Sequence, residues 1–413
     1  MERSLDLSFV RRFFPGLTPE GAPPLVLFEN AGGSIPCAPV VEAIGRYLSE
    51  SMVQLGASYP RSRAAGEAVA AGKAAAARLL GTSPEHVVLG ASTTMLMHVL
   101  SAALAPLVGP GDEVVVTDLD HEANVGAWRR LAERQGATVR EWRLDPTSAS
   151  LTAEGLAEVL GPRTRLVCFT HCANVVGTIH DVPALAAQAK AAGARVVVDG
   201  VAFAPHRRVD AKALGADLYA FSLYKTYGPH LACAYFSPEL AEVAASQNHF
   251  FLGPEAGHYR FEPGNVNHEL TAGLAGLLGY FEDLAAHHGD AGDPLDAGFG
   301  RFAQHEAALV APLLAWLAAE PRVRIVGEAS SNPAKRVPTV AFTVEGMASR
   351  ALVEAADAAG FAIRHGHFYA RRAMAPLGLA DAEDGVVRAS LVHYNTHEEV
   401  ARFLGFLEGA LSA

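Results

Sequence analysis

The stretch Ala220-Phe221-Ser222-Leu223-Tyr224-Lys225-Thr226-Tyr227-Gly228-Pro229 closes an apolar run that begins at Ala216 and is short enough for one buried strand. The run ends in a hydroxyl, a lysine, a second hydroxyl and a Gly-Pro turn. A lysine at such a strand end is a candidate reactive amine, because partial burial lowers its pKa and leaves more of it as the nucleophilic free base. A lysine in a solvated loop reads the same way locally, so the choice falls to other parts of the chain.

Upstream, Ala194-Arg195-Val196-Val197-Val198-Asp199-Gly200 reads as a buried parallel strand, β-branched and nearly continuous, with a carboxylate where it stops. A turn or helix-capping role accounts for a lone aspartate there equally well. Asp199 followed 26 residues later by Lys225, each at the end of an apolar strand, is a rarer pattern. Enzymes that use pyridoxal phosphate (PLP) need both groups: a lysine to hold the aldehyde, and an acid beside the pyridine nitrogen to keep the ring an electron sink.

Half of the 413 residues are hydrophobic and 19% are charged, an ordinary globular composition with chain enough for two or three domains. The balance of 33 basic against 44 acidic residues gives a net charge of -11 with no basic run. Nucleic acid and anionic membrane surfaces are therefore not expected as partners. No apolar stretch is expected to span a membrane, and Met1-Glu2-Arg3-Ser4-Leu5-Asp6-Leu7 lacks the apolar core of a signal peptide. Cys37, Cys168, Cys172 and Cys233 are scattered without CxxC spacing, so no metal site is expected and the compartment reads as reducing, that is, cytoplasmic.

Along the chain, strand and helix patterns alternate: His86 to Leu89, then Gly90-Ala91-Ser92-Thr93-Thr94 and a helix; Glu113 to Thr117, then Asp118-Leu119-Asp120-His121 and a helix; Arg165 to Thr170, then His171-Cys172-Ala173-Asn174. Such alternation predicts an α/β fold, a large domain with a mostly parallel sheet flanked by helices, plus a smaller C-terminal α+β domain. The expected boundaries are an N-terminal arm over 1–24, the large domain over 25–288 and the small domain over 297–413, divided at a Gly- and Asp-rich loop. The small domain is expected to hold a long helix over 299–319, strands near 323–326, 339–344 and 386–392, and one around Ile363. Ligands of such sheets sit at the carboxyl ends of the strands, where these polar clusters all fall.

Each cluster has a chemical and a bland reading. Ser92, Thr93 and Thr94 open a helix whose free N–H groups suit a phosphate, although a plain helix cap uses the same residues. Ser222 can add a hydroxyl to that phosphate. His121 could lie flat over a cofactor ring or shuttle a proton, or be a surface histidine. Asn174 could bond the phenolic oxygen of the ring, or form a turn. Arg388, in Val386-Val387-Arg388-Ala389-Ser390, either pairs with a structural acid or forks onto a substrate carboxylate.

Assembled, these residues resemble the class V aminotransferase family, closest to cysteine desulfurases and selenocysteine lyases. Five motifs stand in the family's order: Asn30-Ala31, Ser92-Thr93-Thr94, His121 to Asn124, Asn174 to Thr178, and Asp199 to Lys225. Arg388-Ala389-Ser390 with Tyr394-Asn395-Thr396 matches the substrate-carboxylate segment. The resemblance implies the PLP-dependent transferase fold (type I), with Lys225 as the Schiff-base lysine, Asp199 as the pyridinium partner, His121 as the stacking ring and Thr94 with Ser222 as phosphate ligands. It implies Asn30, Ala31 and Arg388 on the substrate side. It also implies a homodimer with shared active sites, in which Phe261-Glu262-Pro263-Gly264-Asn265 completes the neighbour's phosphate site, with Asn265 where a threonine is usual.

Three departures stand out. Desulfurases place a nucleophilic cysteine after an Arg-x-Gly-His pattern; here Arg364-His365-Gly366-His367-Phe368-Tyr369 puts Tyr369 in that place. Tyr224 replaces the histidine before the lysine, and Ala202 a glutamine after the aspartate. A phenol cannot carry a persulfide. The expectation is a PLP-dependent enzyme acting on an amino acid, with β-elimination of a sulfur or selenium group favoured, transamination or epimerisation as the alternative, and a non-catalytic PLP-binding protein as a third reading. His367 and Tyr369, with His365, Arg371 and Arg372, are candidates for contacting the substrate side chain.

Overall fold

The computed structural model describes residues 4–412. A short strand β1 (Val26–Leu27) precedes β2 (Val87–Gly90), β3 (Glu113–Thr117), β4 (Thr138–Trp142), β5 (Thr164–Thr170), β6 (Arg195–Asp199), β7 (Leu218–Ser222) and β8 (Ala232–Phe236). The last seven form one sheet in the order β2-β8-β7-β6-β5-β3-β4. All its pairs are parallel except those of β8, which runs against both neighbours. Further on come β9 (Val323–Val326), β10 (Thr339–Val344), β11 (Phe361–Ala362), β12 (Arg364–Gly366) and β13 (Val386–Ser390). Of these, β12-β13-β10-β9 make an antiparallel sheet, and β11 pairs with β1.

The large sheet is apolar on both faces because successive side chains of a strand point to opposite sides. In β6, Val196 and Val198 enter one core while Val197 enters the other. Helices Thr93–Ala103 and Glu122–Gln135 cover the second face with Leu96, Met97, Leu100, Trp128 and Leu131. Helices Pro60–Leu80, Val182–Ala191 and His268–His288 cover the first. Two of these approach very closely: a Cβ at Gly72 would overlap the carbonyl of Thr271, so only glycine permits that crossing. A side chain such as Phe169, fully buried on this face, contributes roughly 1.5–3 kcal/mol by leaving water.

Four features differ from the sequence reading or add to it. The strand β4 escaped it: Thr138 and Arg140 are exposed at the sheet's edge, and only Trp142 is buried, so no apolar run marks it. Ile363 lies between two short strands rather than inside one, because β11 pairs with β1 and β12 with β13. Residues 26–29, expected with the large domain, pair with the C-terminal region: Val26 with Phe361, Leu27 with Ala362, and Glu29 with Ser390. The helix Pro294–Ala319 is long and apolar enough, by composition alone, to cross a bilayer, contrary to the expectation. Here Leu309, Leu313 and Leu317 pack into the small-domain core, Phe299 and Phe302 into the large one, and its buried Glu306 pairs with Arg207 at 2.7 Å. Its large aliphatic and phenyl side chains are thus taken up by the two cores, while Ala308, Pro312 and Ala315 stay exposed.

Candidate active site

Eight of the expected residues line one cleft at the carboxyl edge of the large sheet: Ser92, Thr93, Thr94, His121, Asn174, Asp199, Ser222 and Lys225. They come from the ends of five strands, β2, β3, β5, β6 and β7, which is why residues up to 133 positions apart in sequence meet. Ala123, Thr170, Cys172, Val201, Ala202 and Tyr224 complete the wall.

Lys225 ends a single turn of 3-10 helix that follows β7 directly. It makes no hydrogen bond or ion pair with any described residue. Burial, and then the charge of Arg388, bring its pKa down to about 8, against the opposing pull of Asp199 and Glu29. The amine is therefore expected to titrate far below the 10.5 of an ordinary lysine, with reactivity rising as the pH passes through about 8. Competitive labelling of Lys225 in cofactor-free protein, followed by peptide mapping across pH, measures this; a midpoint near 10.5 would overturn it.

Asp199 is the last residue of β6 and is buried. Its Oδ1 accepts from the Val201 amide at 2.9 Å, and no described residue donates to Oδ2. Burial raises its pKa to about 6, with the Val201 hydrogen bond and the Lys225 charge opposing. Above that pH it is a carboxylate with a free oxygen in the cleft.

The helix after β2 is capped by Ser92, whose hydroxyl accepts from the Met95 amide at 3.2 Å. The amides of Thr93 and Thr94 have no acceptor within the helix. Thr93 Oγ1, rather than that of Thr94, meets Ser222 Oγ at 2.7 Å. His121 caps the helix after β3, its Nδ1 accepting from the Ala123 amide at 3.0 Å. That bond places the ring proton on Nε2. Burial first, then Lys225 and Arg388, lower its pKa to about 4, so it is neutral at physiological pH.

Arg388 is buried in β13 and reaches across to the large domain. Its NH1 donates to the carbonyl of Asn174 at 3.0 Å, its NH2 to Glu29 Oε1 at 3.2 Å, and the Phe368 ring lies 3.6 Å from the guanidinium carbon. Neither Arg388 nor Glu29 is among the residues lining the cleft; they stand beside it, close enough for both charges to act on Lys225. Glu29, a carboxylate just past β1 and near Gly32 and Gly33, is the partner of Arg388 that local sequence does not reveal. The Asn174 side chain donates to the Phe368 carbonyl at 2.8 Å.

Other expected contacts fall outside the cleft. Asn30 is buried with its amide donating to the Leu27 and Ser390 carbonyls and its oxygen accepting from Tyr394, and the Ala31 amide donates to Ser390 Oγ. Both tie the β1 end to the small domain. Asn265 lines a neighbouring groove with Gly90, Ala91 and Met95, not the Lys225 cleft of its own chain. His367 accepts the Tyr369 amide and sits 3.7 Å from Glu383. Arg371 and Arg372 are likewise paired, with Glu383 and Glu122. Tyr369 is exposed with its ring 5.2 Å from that of His121. Phe368 and Tyr369 both take left-handed backbone (φ 48° and 62°), which bulky residues adopt only when surroundings hold them there. Here the Asn174 amide and the Glu122 amide supply that hold, by bonding the Phe368 and Tyr369 carbonyls.

All four cysteines are buried. Burial drives the Cys37 and Cys172 thiols up to about 12 and those of Cys168 and Cys233 well above the usual range. Cys172 alone lines the cleft, as a protonated thiol.

The cleft fits PLP on chemical grounds. An unengaged amine, a carboxylate with one free oxygen and a helix start with uncommitted amides match the aldehyde, the ring nitrogen and the phosphate of that molecule. A family model described as "Aminotransferase class-V" matches residues 26–403. "Aminotransferase-like protein FGM3" of Gibberella zeae is 40% identical over 99% of both chains. "Cysteine desulfurase-like protein ustD" of Aspergillus flavus is 33% identical over 99% of this chain and 91% of its own. Among solved structures, the apo cysteine desulfurase of Thermococcus onnurineus NA1 superposes with a TM-score of 0.85 at 27% identity, over 98% of each chain. The match over nearly the whole length, on a fold that brings Lys225 and Asp199 into one cleft, places this chain in the class V aminotransferase family of PLP-dependent enzymes.

Proposed function

We propose that this enzyme cleaves a bond at the β-carbon of an α-amino acid, expelling a sulfur or selenium group without storing it on a protein thiol. The observation that carries the reading is Tyr369, a phenol in the place where desulfurases carry a cysteine, with its ring 5.2 Å from that of His121, beside a cleft whose one thiol is held protonated. Bound PLP supplies the electron sink that acidifies the α-carbon. Ser92, Thr93, Thr94 and Ser222 would hold its phosphate, and Asp199 Oδ2 its ring nitrogen.

Arg388 grips the substrate carboxylate. Lys225 Nζ, whose pKa burial already lowers in the cofactor-free protein, accepts the α-proton. Neutral His121 would cover the cofactor, with its proton on Nε2, and Tyr369 beside it would give a proton to the departing group. The electron pair of the breaking β-bond leaves with the sulfur or selenium, and the remainder is hydrolysed to pyruvate and ammonia. A homodimer belongs to this reading, because Asn265 does not enter its own cleft and is available to that of a second copy.

The test is incubation of PLP-loaded enzyme with cysteine, selenocysteine and S-substituted cysteines. Stoichiometric pyruvate, ammonia and free thiol or sulfide are expected. An amino group transferred to an added keto acid, or racemised substrate, would replace elimination with the alternative chemistries. Replacing Cys37, Cys168, Cys172 and Cys233 by Ala, singly and together, is expected to leave turnover intact in folded protein, and loss of turnover there, or accumulation of a persulfide on any of them in the parent enzyme, would refute the thiol-free route.

A further inference from the structure

Arg388 presents a fork with one tine engaged. Its Nε and NH2 lie on the same edge of the guanidinium, the edge that receives both oxygens of a single carboxylate. In the structure NH2 is bonded to Glu29 at 3.2 Å, whereas Nε is buried and donates to no described residue. The other side of the group is committed to the Asn174 carbonyl, and Phe368 covers a face. A two-point site is therefore filled at one point, by a side chain of the protein itself.

The glutamate is placed to leave. The same Oε1 that meets Arg388 lies 3.5 Å from NH1 of Arg364, a largely exposed side chain on β12. One oxygen thus bridges a buried arginine and an exposed one. Its position also depends on Gly32, where a Cβ would overlap both carboxylate oxygens.

We infer that Glu29 is a built-in stand-in for the substrate carboxylate, half-engaging Arg388 when the site is empty and shifting to Arg364 when an amino acid takes the Nε–NH2 edge. Glu29 is then a positioning residue: it keeps the buried guanidinium compensated, and by competing it weakens the hold on every carboxylate, product included. This inference rests on the proposed role of Arg388.

The test is equilibrium binding of glycine, which carries an α-carboxylate but no β-group to lose, followed by the absorbance of PLP-loaded protein, with acetate as competitor. Glu29→Gln is expected to tighten glycine and acetate at least about tenfold, the effect of removing a charge-assisted competitor. Gly32→Ala, which pushes the carboxylate aside and keeps its charge, is expected to shift affinity the same way and decides the matter alone if Glu29→Gln does not fold. In an Arg388→Lys background the gain should vanish. If both single variants fold, load PLP and bind glycine and acetate no more tightly than the parent, Glu29 is a structural partner and the inference is wrong. If the parent binds neither ligand and Arg388→Lys changes nothing, the role of Arg388 has failed instead, and the inference with it.

Discussion

Lys225→Ala should give a folded protein that no longer holds PLP covalently and whose turnover falls by about 10³ or more, the range spanned by a lost nucleophile and general base acting together. The expectation is specific to this residue. Lys73 is tied to Glu262 and Lys190 to Asp217, Lys335 lines a different pocket, and neither Lys212 nor any of these lines the cleft. Borohydride treatment of the parent enzyme followed by peptide mapping should yield one pyridoxyl-lysine, at position 225. A reduced adduct on another lysine, or one that persists in the variant, would remove Lys225 from the centre of the site. The thermal midpoint of the cofactor-free protein should change little, because the side chain makes no hydrogen bond or ion pair with any described residue for the substitution to break.

The parts of this molecule legible in sequence are those where one residue's chemistry clashes with its local context. A carboxylate closing Val196-Val197-Val198 and a lysine just beyond Ala220-Phe221 stand out because buried parallel strands are otherwise apolar, and a parallel sheet then brings their carboxyl ends together. The same logic located Ser92, His121 and Asn174. It failed where meaning lies in a contact between distant segments. Asn30 looks like a ligand-facing turn residue but is consumed by hydrogen bonds to Ser390 and Tyr394, some 360 positions away. Glu29 was invisible as a partner of Arg388 for the same reason: nothing local says that β1 leaves the large sheet to pair with β11. The edge strand β4 was missed because a half-exposed strand carries polar residues that dilute its pattern.

Those contacts also change what is expected of Arg388→Lys. A forked, charge-assisted contact to a carboxylate contributes roughly 1.5–3 kcal/mol, and an ammonium cannot reproduce its geometry. Amino-acid affinity should therefore fall at least about tenfold, equivalent to about 1.4 kcal/mol. From sequence alone, stability would be expected to stay constant. The structure adds a cost, because the Asn174 carbonyl loses its donor and the Phe368 ring its stacked guanidinium, and a single buried hydrogen bond contributes about 1 kcal/mol. Denaturant titration should register a loss of about that size, while PLP capture by Lys225 persists. The two effects separate the roles: a variant that loses several kcal/mol of stability but still binds glycine as the parent does would make Arg388 a tie between the two sheets. Glycine affinity that falls tenfold in a protein only slightly destabilised would mean that the guanidinium grips the substrate, and that its bonds to Asn174 and Phe368 serve to aim it.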